Sequence, residues 1–237
     1  MKQTLKVSLP IFIILFLSGC LYPKERMVQK IPEDSYIKQV QEAVNAYKSE
    51  HEGLLPIKTK ESMTDIYIKY LIDFNKLVPQ YLTEIPANAY EAGGIFQYVI
   101  INPESNPTVK VFDMQIADKI REINIRLSTL KYPPFNEVIH GNVFSLDFKK
   151  IGYDEEPVIR SPFSGQNLPF VITSDGEVFV DYSIDIYNKL KEKEIEELSD
   201  EYDLRSILVE DSIFVPAYSM PYTLDEFGAP IFIGKNS

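Results

Sequence analysis

The chain carries a single cysteine, Cys20, so it can close no internal disulfide and build no thiolate zinc site or dithiol redox centre. Its two histidines, His51 and His140, are too few for a histidine metal cage. His51 stands just before a helix stop and His140 in a loop, and both read as solvated. The sequence has no Gly-x-Ser-x-Gly elbow, no phosphate-cradling glycine loop and no dinucleotide fingerprint. The expectation is no cofactor and no metal. Positive charge is also scarce. Lys and Arg number 24 against 35 Asp and Glu, a formal net charge of −11. That balance repels nucleic acid and anionic lipid headgroups, so no nucleic-acid partner is expected. Tryptophan is absent, which leaves Tyr and Phe to supply the aromatic part of a core.

What is present begins at the amino terminus. Lys2 and Lys6 precede Pro10-Ile11-Phe12-Ile13-Ile14-Leu15-Phe16, an apolar run shorter than a membrane span. A positive start, a short apolar stretch and small residues before a cleavage point form the pattern of an exported signal peptide. Leu17-Ser18-Gly19-Cys20 resembles the lipobox of bacterial lipoproteins. That resemblance implies a diacylated Cys20 that becomes the first mature residue. The expected location is the cell membrane, lipid-anchored and facing outside the cytoplasm. Loss of residues 1–19 leaves about 218 residues, enough for a sizeable core, and removes Lys2 and Lys6, deepening the acidic excess. Membrane attachment then rests on the acyl chains, since two or more on one residue hold stably where one is marginal.

Residues 20–34, with Pro23, Pro32 and mixed charges, read as a tether. A first α+β unit is expected over 35–110. Ile37, Val40, Val44 and Tyr47 recur at helical spacing, and Gly53 supplies a stop. Asp73-Phe74-Asn75-Lys76-Leu77 follows, then Pro86, Gly93-Gly94 and a buried strand at Phe96-Gln97-Tyr98-Val99-Ile100-Ile101. A second unit over 111–182 repeats the order. Ile116, Ile120, Ile123, Leu127 and Leu130 mark its helix, and Asp147-Phe148-Lys149-Lys150-Ile151 matches the earlier Asp-Phe segment. Phe170-Val171-Ile172-Thr173 is its strand, and Asp175-Gly176 a tight hairpin into Val178-Phe179-Val180. A partial third unit over 183–237 has Ile184, Tyr187, Leu190, Ile195 and Leu198 on a charged helix, then Asp203-Leu204-Arg205-Ser206-Ile207 and Pro230-Ile231-Phe232-Ile233. The fold class is α+β, two to three small repeated units, each a helix packed on a short antiparallel sheet. Ser105 to Val109, with Pro107, should link the first two.

Ala43-Val44-Asn45-Ala46-Tyr47, Gly53 to Pro56, Tyr81 to Pro86 and Phe96-Gln97-Tyr98 make the first unit resemble a type II secretion pseudopilin head, and Ser161-Pro162-Phe163-Ser164-Gly165 repeats the motif. This resemblance implies a head-domain topology. It implies neither fibre assembly nor calcium binding, because a lipobox stands in place of the assembly helix and the matching turn reads Pro86-Ala87-Asn88-Ala89-Tyr90. Across its length the chain is similar to the YphF-type lipoproteins of Bacillus-like bacteria. The similarity runs from the lipobox through Pro56 to Lys60, Ile72 to Lys76 and Asn106 to Lys110. It implies location and no particular activity.

Carboxylates are plentiful, and Glu155-Glu156 or Asp181 and Asp185 are candidates for a glycosidase-like pair. Nothing in their context separates them from surface charge. Ser164 sits in a turn with a local backbone role. Ser174-Asp175-Gly176-Glu177 lacks the alternating acids of a calcium loop. Lys189 to Asp203 forms the densest charge run and reads as a solvated face. Phe214, Tyr218, Met220 and Tyr222 read as core. The sequence thus points to a lipid-anchored, non-enzymatic interaction or assembly protein with Cys20 as its one assigned site and a possible envelope protein partner. The alternatives are a cell-envelope hydrolase using a carboxylate pair and a solute-binding lipoprotein.

Overall fold

A computed structural model describes residues 34–58, 60–193 and 202–233. The expected signal peptide, Cys20 and the tether up to residue 33 lie outside them, as do Ile195 and Leu198. Helix α1 (Asp34–Glu50) opens the described chain and buries Ile37, Val40, Ala43 and Val44, one stripe at helical spacing. Past its end, the amide of Gly53 donates to Lys48 O at 3.0 Å. A short helix α2 (Ile66–Lys69) and a 3-10 turn (Phe74–Lys76) lead to strands β1 (Phe96–Ile101) and β2 (Thr108–Asp113), an antiparallel hairpin. Gly94 is fixed by close approach, because a Cβ there would lie 2.1 Å from the Asn88 carbonyl oxygen.

Every residue of β1 is buried, which explains a run that is apolar but for Gln97, whose Nε2 donates to Glu91 Oε1 at 3.0 Å. Phe96, Tyr98 and Ile100 face α1 and the Phe74 turn. Val99 and Ile101 face the other way, onto Tyr67, Phe112, Val209, Val215 and Ala217. The backbone follows suit. Tyr70 and Ile72 bond to the outer side of β1, and Ile213 and Val215 to the outer side of β2 at Val111. Gln41 of α1 closes the rest of that edge: its Oε1 accepts from Val109 N at 2.7 Å, and its Nε2 donates to Pro107 O at 3.0 Å.

Helix α3 (Gln115–Leu127) buries Ile116, Ile120 and Ile123 against a five-stranded antiparallel sheet. Its strands are β3 (Phe135–His140), β4 (Val143–Leu146), β5 (Val158–Arg160), β6 (Asn167–Thr173) and β7 (Val178–Val180). Their order is β3-β4-β6-β5, with β7 also pairing with β6. The β6–β7 hairpin turns at Asp175-Gly176, where Gly176 takes a φ of 86°. Helix α4 (Ser183–Lys193), the single turn α5 (Ser206–Val209) and the hairpin β8 (Tyr222–Leu224) with β9 (Pro230–Phe232) complete the chain. Tyr222 and Met220 are buried in the same core as α3 and β6, and Phe214 and Tyr218 pack partly buried on neighbouring clusters.

Helix, short helical turn and antiparallel hairpin follow one another in the first and third passages. In the second, the β3–β4 hairpin falls between the helix and the turn at Phe148–Ile151. The expected units differ from the observed packing in four ways. Ser105 to Val109 does not link two units. It completes the β1–β2 turn and enters β2, since Thr108 pairs with Ile101 and the amides of Ser105 and Asn106 donate to Asn102 O. A boundary after residue 110 would therefore cut β2, which ends at Asp113. Phe170 lies inside β6, which starts three residues earlier at Asn167. His140 ends strand β3 and is not in a loop; the β3–β4 hairpin has no counterpart in the first passage. Nor does the first passage cover its own sheet, because a two-stranded sheet buried on both faces needs a second layer, and residues 209–217 supply it. From Asp34 onward the described residues form one compact unit.

Phe74 (2% exposed) and Phe148 (5%) are both buried, each edge-on to a tyrosine, Tyr98 at 5.5 Å and Tyr153 at 5.8 Å. Replacing either by Ala should cost about 3–5 kcal/mol in urea unfolding. A loss below about 1 kcal/mol at either position would mean that its site is not the packed core described.

Candidate functional site

The cavity of interest is an open cleft of about 670 Å³, at the end of the first sheet where the β1–β2 turn faces α2 and α5. Its walls include Tyr67 and Tyr70 from the first passage, Asn102 and Lys110 from the hairpin, and Tyr202 and Ser206 from the third passage. Sequence positions some hundred and forty residues apart thus share one surface.

Arg205 holds these walls together. Its side chain is 4% exposed. Asp203 Oδ1 accepts the backbone N–H of Arg205 at 3.1 Å, an Asx turn that starts α5, while Asp203 Oδ2 takes Nε at 2.9 Å and Nη2 at 2.8 Å. Nη1 donates to Asp65 Oδ2 at 2.8 Å and to Ser219 O at 2.9 Å. Asp65 in turn caps α2, its Oδ1 accepting Tyr67 N at 3.0 Å. The guanidinium lies 4.9 Å from the centre of the Tyr67 ring. Burial works against the charge of Arg205, and the hydrogen bonds and attraction of Asp203 and Asp65 outweigh it, so its pKa stands above the ordinary value. Burial pushes the Tyr67 hydroxyl well up, so it stays protonated.

Lys110 is also committed. Its Nζ donates to Val209 O at 2.8 Å and to Ser212 O, so it satisfies the last carbonyl of α5 and one just beyond it. Burial lowers its pKa, against the pull of Asp211. Glu210 pairs with Lys193 from the last turn of α4. The cleft is thus lined by aromatic rings, hydroxyls and ion pairs already formed within the chain, with the Glu104 carboxylate also on its wall.

The carboxylates singled out in the sequence are elsewhere. Glu155 and Glu156 are exposed. Asp181 Oδ1 caps α4 by accepting Ser183 N at 2.8 Å and takes the Tyr222 hydroxyl at 2.9 Å. Asp185 is buried in the first turn of α4, where burial raises its pKa, and its Oδ2 accepts from Ser161 Oγ at 2.7 Å. Ser161 Oγ organises the Pro162–Gly165 turn by accepting the amides of Phe163 and Ser164, and Ser164 has the expected backbone role, its Oγ accepting Gln166 N at 3.2 Å. Neither Asp181 nor Asp185 lines the 670 Å³ cleft. His51 stacks on Tyr47 at 3.8 Å and its Nδ1 donates to Tyr47 O at 2.9 Å, which caps the end of α1. No group of three or more His, Cys, Asp or Glu able to hold a metal ion occurs among the described residues. No helix among them is long and apolar enough to cross a membrane. Sequence reasoning passed over Asp65 and Arg205; the one available signal was an arginine set among Leu204, Ile207 and Leu208.

Residues 26–113 match the model of the YphF family N-terminal domain. The match ends at Asp113, the last residue of β2. It contributes α2, Asp65 and the hairpin wall of the cleft, while Arg205 and α5 lie beyond it. No curated protein and no solved structure matches the chain.

Removing one partner from a buried ion network leaves the others uncompensated. Arg205→Ala should therefore lower stability by about 3–5 kcal/mol in urea unfolding. A change within about 1 kcal/mol would show that the network carries little of the fold.

Proposed function

We propose that this protein is a lipid-anchored extracytoplasmic binding protein that holds a partner in the cleft without turning it over. Acyl chains on Cys20 fix its position, the stretch up to residue 33 gives reach, and the α+β body presents the cleft. One observation carries the binding reading: the cations at the cleft are already spent on structural bonds, Arg205 on Asp65, Asp203 and Ser219, and Lys110 on Val209 and Ser212. An acid–base catalyst needs groups placed to exchange a proton with a substrate. Asp181 and Asp185, which a hydrolase would use, are instead bound to Tyr222, Ser183 and Ser161. The YphF match and the lipobox support the family relationship and the anchor. The element order common to the first and third passages supports descent of those two from one repeated unit.

Cys20→Ala should abolish acylation and leave unprocessed precursor, because no other residue offers a thiol for the lipid to join as a thioether. Labelling with radioactive palmitate and membrane fractionation check this. Normal label and full membrane retention in the variant would overturn the anchor.

A further inference from the structure

We propose that the β3 edge of the five-stranded sheet lies against the headgroup region of the bilayer and so orients the body, an inference that rests on the lipid anchor at Cys20. Exposure is the first ground. Leu130, Tyr132, Phe135, Val138 and Ile139 are between 38% and 71% exposed, five large apolar side chains within ten residues. No separate stretch of that length among the described residues exposes more than two. Phe135 pairs with Leu146 and Val138 with Phe144, which puts both on one side of β3. The Phe135 and Phe144 rings stand 4.7 Å apart, and Phe144 packs on the core, so the exposed surface is continuous with it. Apolar surface gathered in this way marks a contact.

Charge is the second ground. The chain has a formal charge of −11, yet residues 127–146 hold Lys131 and Glu137 as their only formal charges and sum to zero. An anionic membrane repels the acidic body elsewhere and meets no such repulsion here. Lys131 Nζ stands 5.4 Å from the centre of the Tyr132 ring. Tyr and Lys side by side suit a headgroup layer, their apolar parts towards the acyl chains and their polar tips towards water.

Geometry is the third ground. A second copy adding to β3 would need a regular ladder, and the register of β3 shifts twice, which bends that edge. A headgroup layer requires no register. The anchor also permits the contact. Asp34 stands 14 residues after Cys20, a span of at most about 50 Å. A compact body of about 200 residues has a radius of gyration of only about 17 Å.

The test exploits the lack of tryptophan in the chain. The full lipidated chain with Val138→Trp, or with Phe227→Trp for comparison, is placed on vesicles of phosphatidylcholine and phosphatidylglycerol, with or without brominated acyl chains, and floated. Phe227 is 85% exposed but follows Asp225 and Glu226 in the β8–β9 turn. Both variants should float. The tryptophan of Val138→Trp should emit further to the blue and be quenched by the brominated lipid, and that of Phe227→Trp should do neither. Adding Tyr132→Asp and Ile139→Asp to Val138→Trp should remove the quenching while the chain floats and melts as before. Floating chain with equal quenching at the two positions or none at either, or quenching that survives the two aspartates, would overturn the inference and leave the anchor standing. A blue shift in Val138→Trp that grows with the amount of chain per vesicle and is insensitive to bromine would assign the face to a second copy and overturn it equally. Failure of every variant to float would overturn the anchor and the inference with it.

Discussion

The fork of Arg205 is the contact on which the arrangement of this molecule depends. One guanidinium meets Asp65 from the start of α2, Asp203 from the start of α5 and the backbone of Ser219 before β8. Each carboxylate has a second task, since Asp65 caps α2 and Asp203 holds the amide of Arg205. The ion network therefore sets helix starts as well as their spacing. Its net worth against an apolar replacement is modest in principle, because burial of the ions offsets much of their attraction. Its specific effect is positional: it fixes which stretch faces which, and the cleft is the space left between them.

The second constraint is a strand buried on both faces. Strand β1 is covered by α1 on one side, and on the other it needs Val209, Val215 and Ala217 from the far end of the chain. A sheet of two strands has little surface to bury alone, and isolated hairpins are marginal. The last passage returns to the first, adds its backbone to Val111, and sends α5 to meet Lys110. From Asp34 onward the described residues are thus one body, with the first and last passages joined across β1.

Much of this was legible locally. The spacing of Ile37, Val40 and Val44 marks α1, the apolar run at Phe96 marks β1, and Asp175-Gly176 marks the β6–β7 turn. The β3–β4 hairpin was not recognised, although Gly141-Asn142 between two apolar pairs was a usable turn signal. Strand β3 lies at a sheet edge with Phe135, Val138 and Ile139 exposed and its register shifted, so it shows no alternation to read. The cleft was illegible for a different reason. Its walls come from three stretches whose proximity follows from the double cover of β1 and from Arg205, neither of which leaves a short motif.

Amide hydrogen exchange in Arg205→Ala tests this account most directly, because it reads each wall of the cleft separately. Loss of the arginine should lower protection together in Ile66–Lys69 and Ser206–Val209, while Val40 and Val44 of α1 keep theirs. Loss confined to the α5 side, with α2 as protected as before, would contradict the claim that one guanidinium holds the two walls in place.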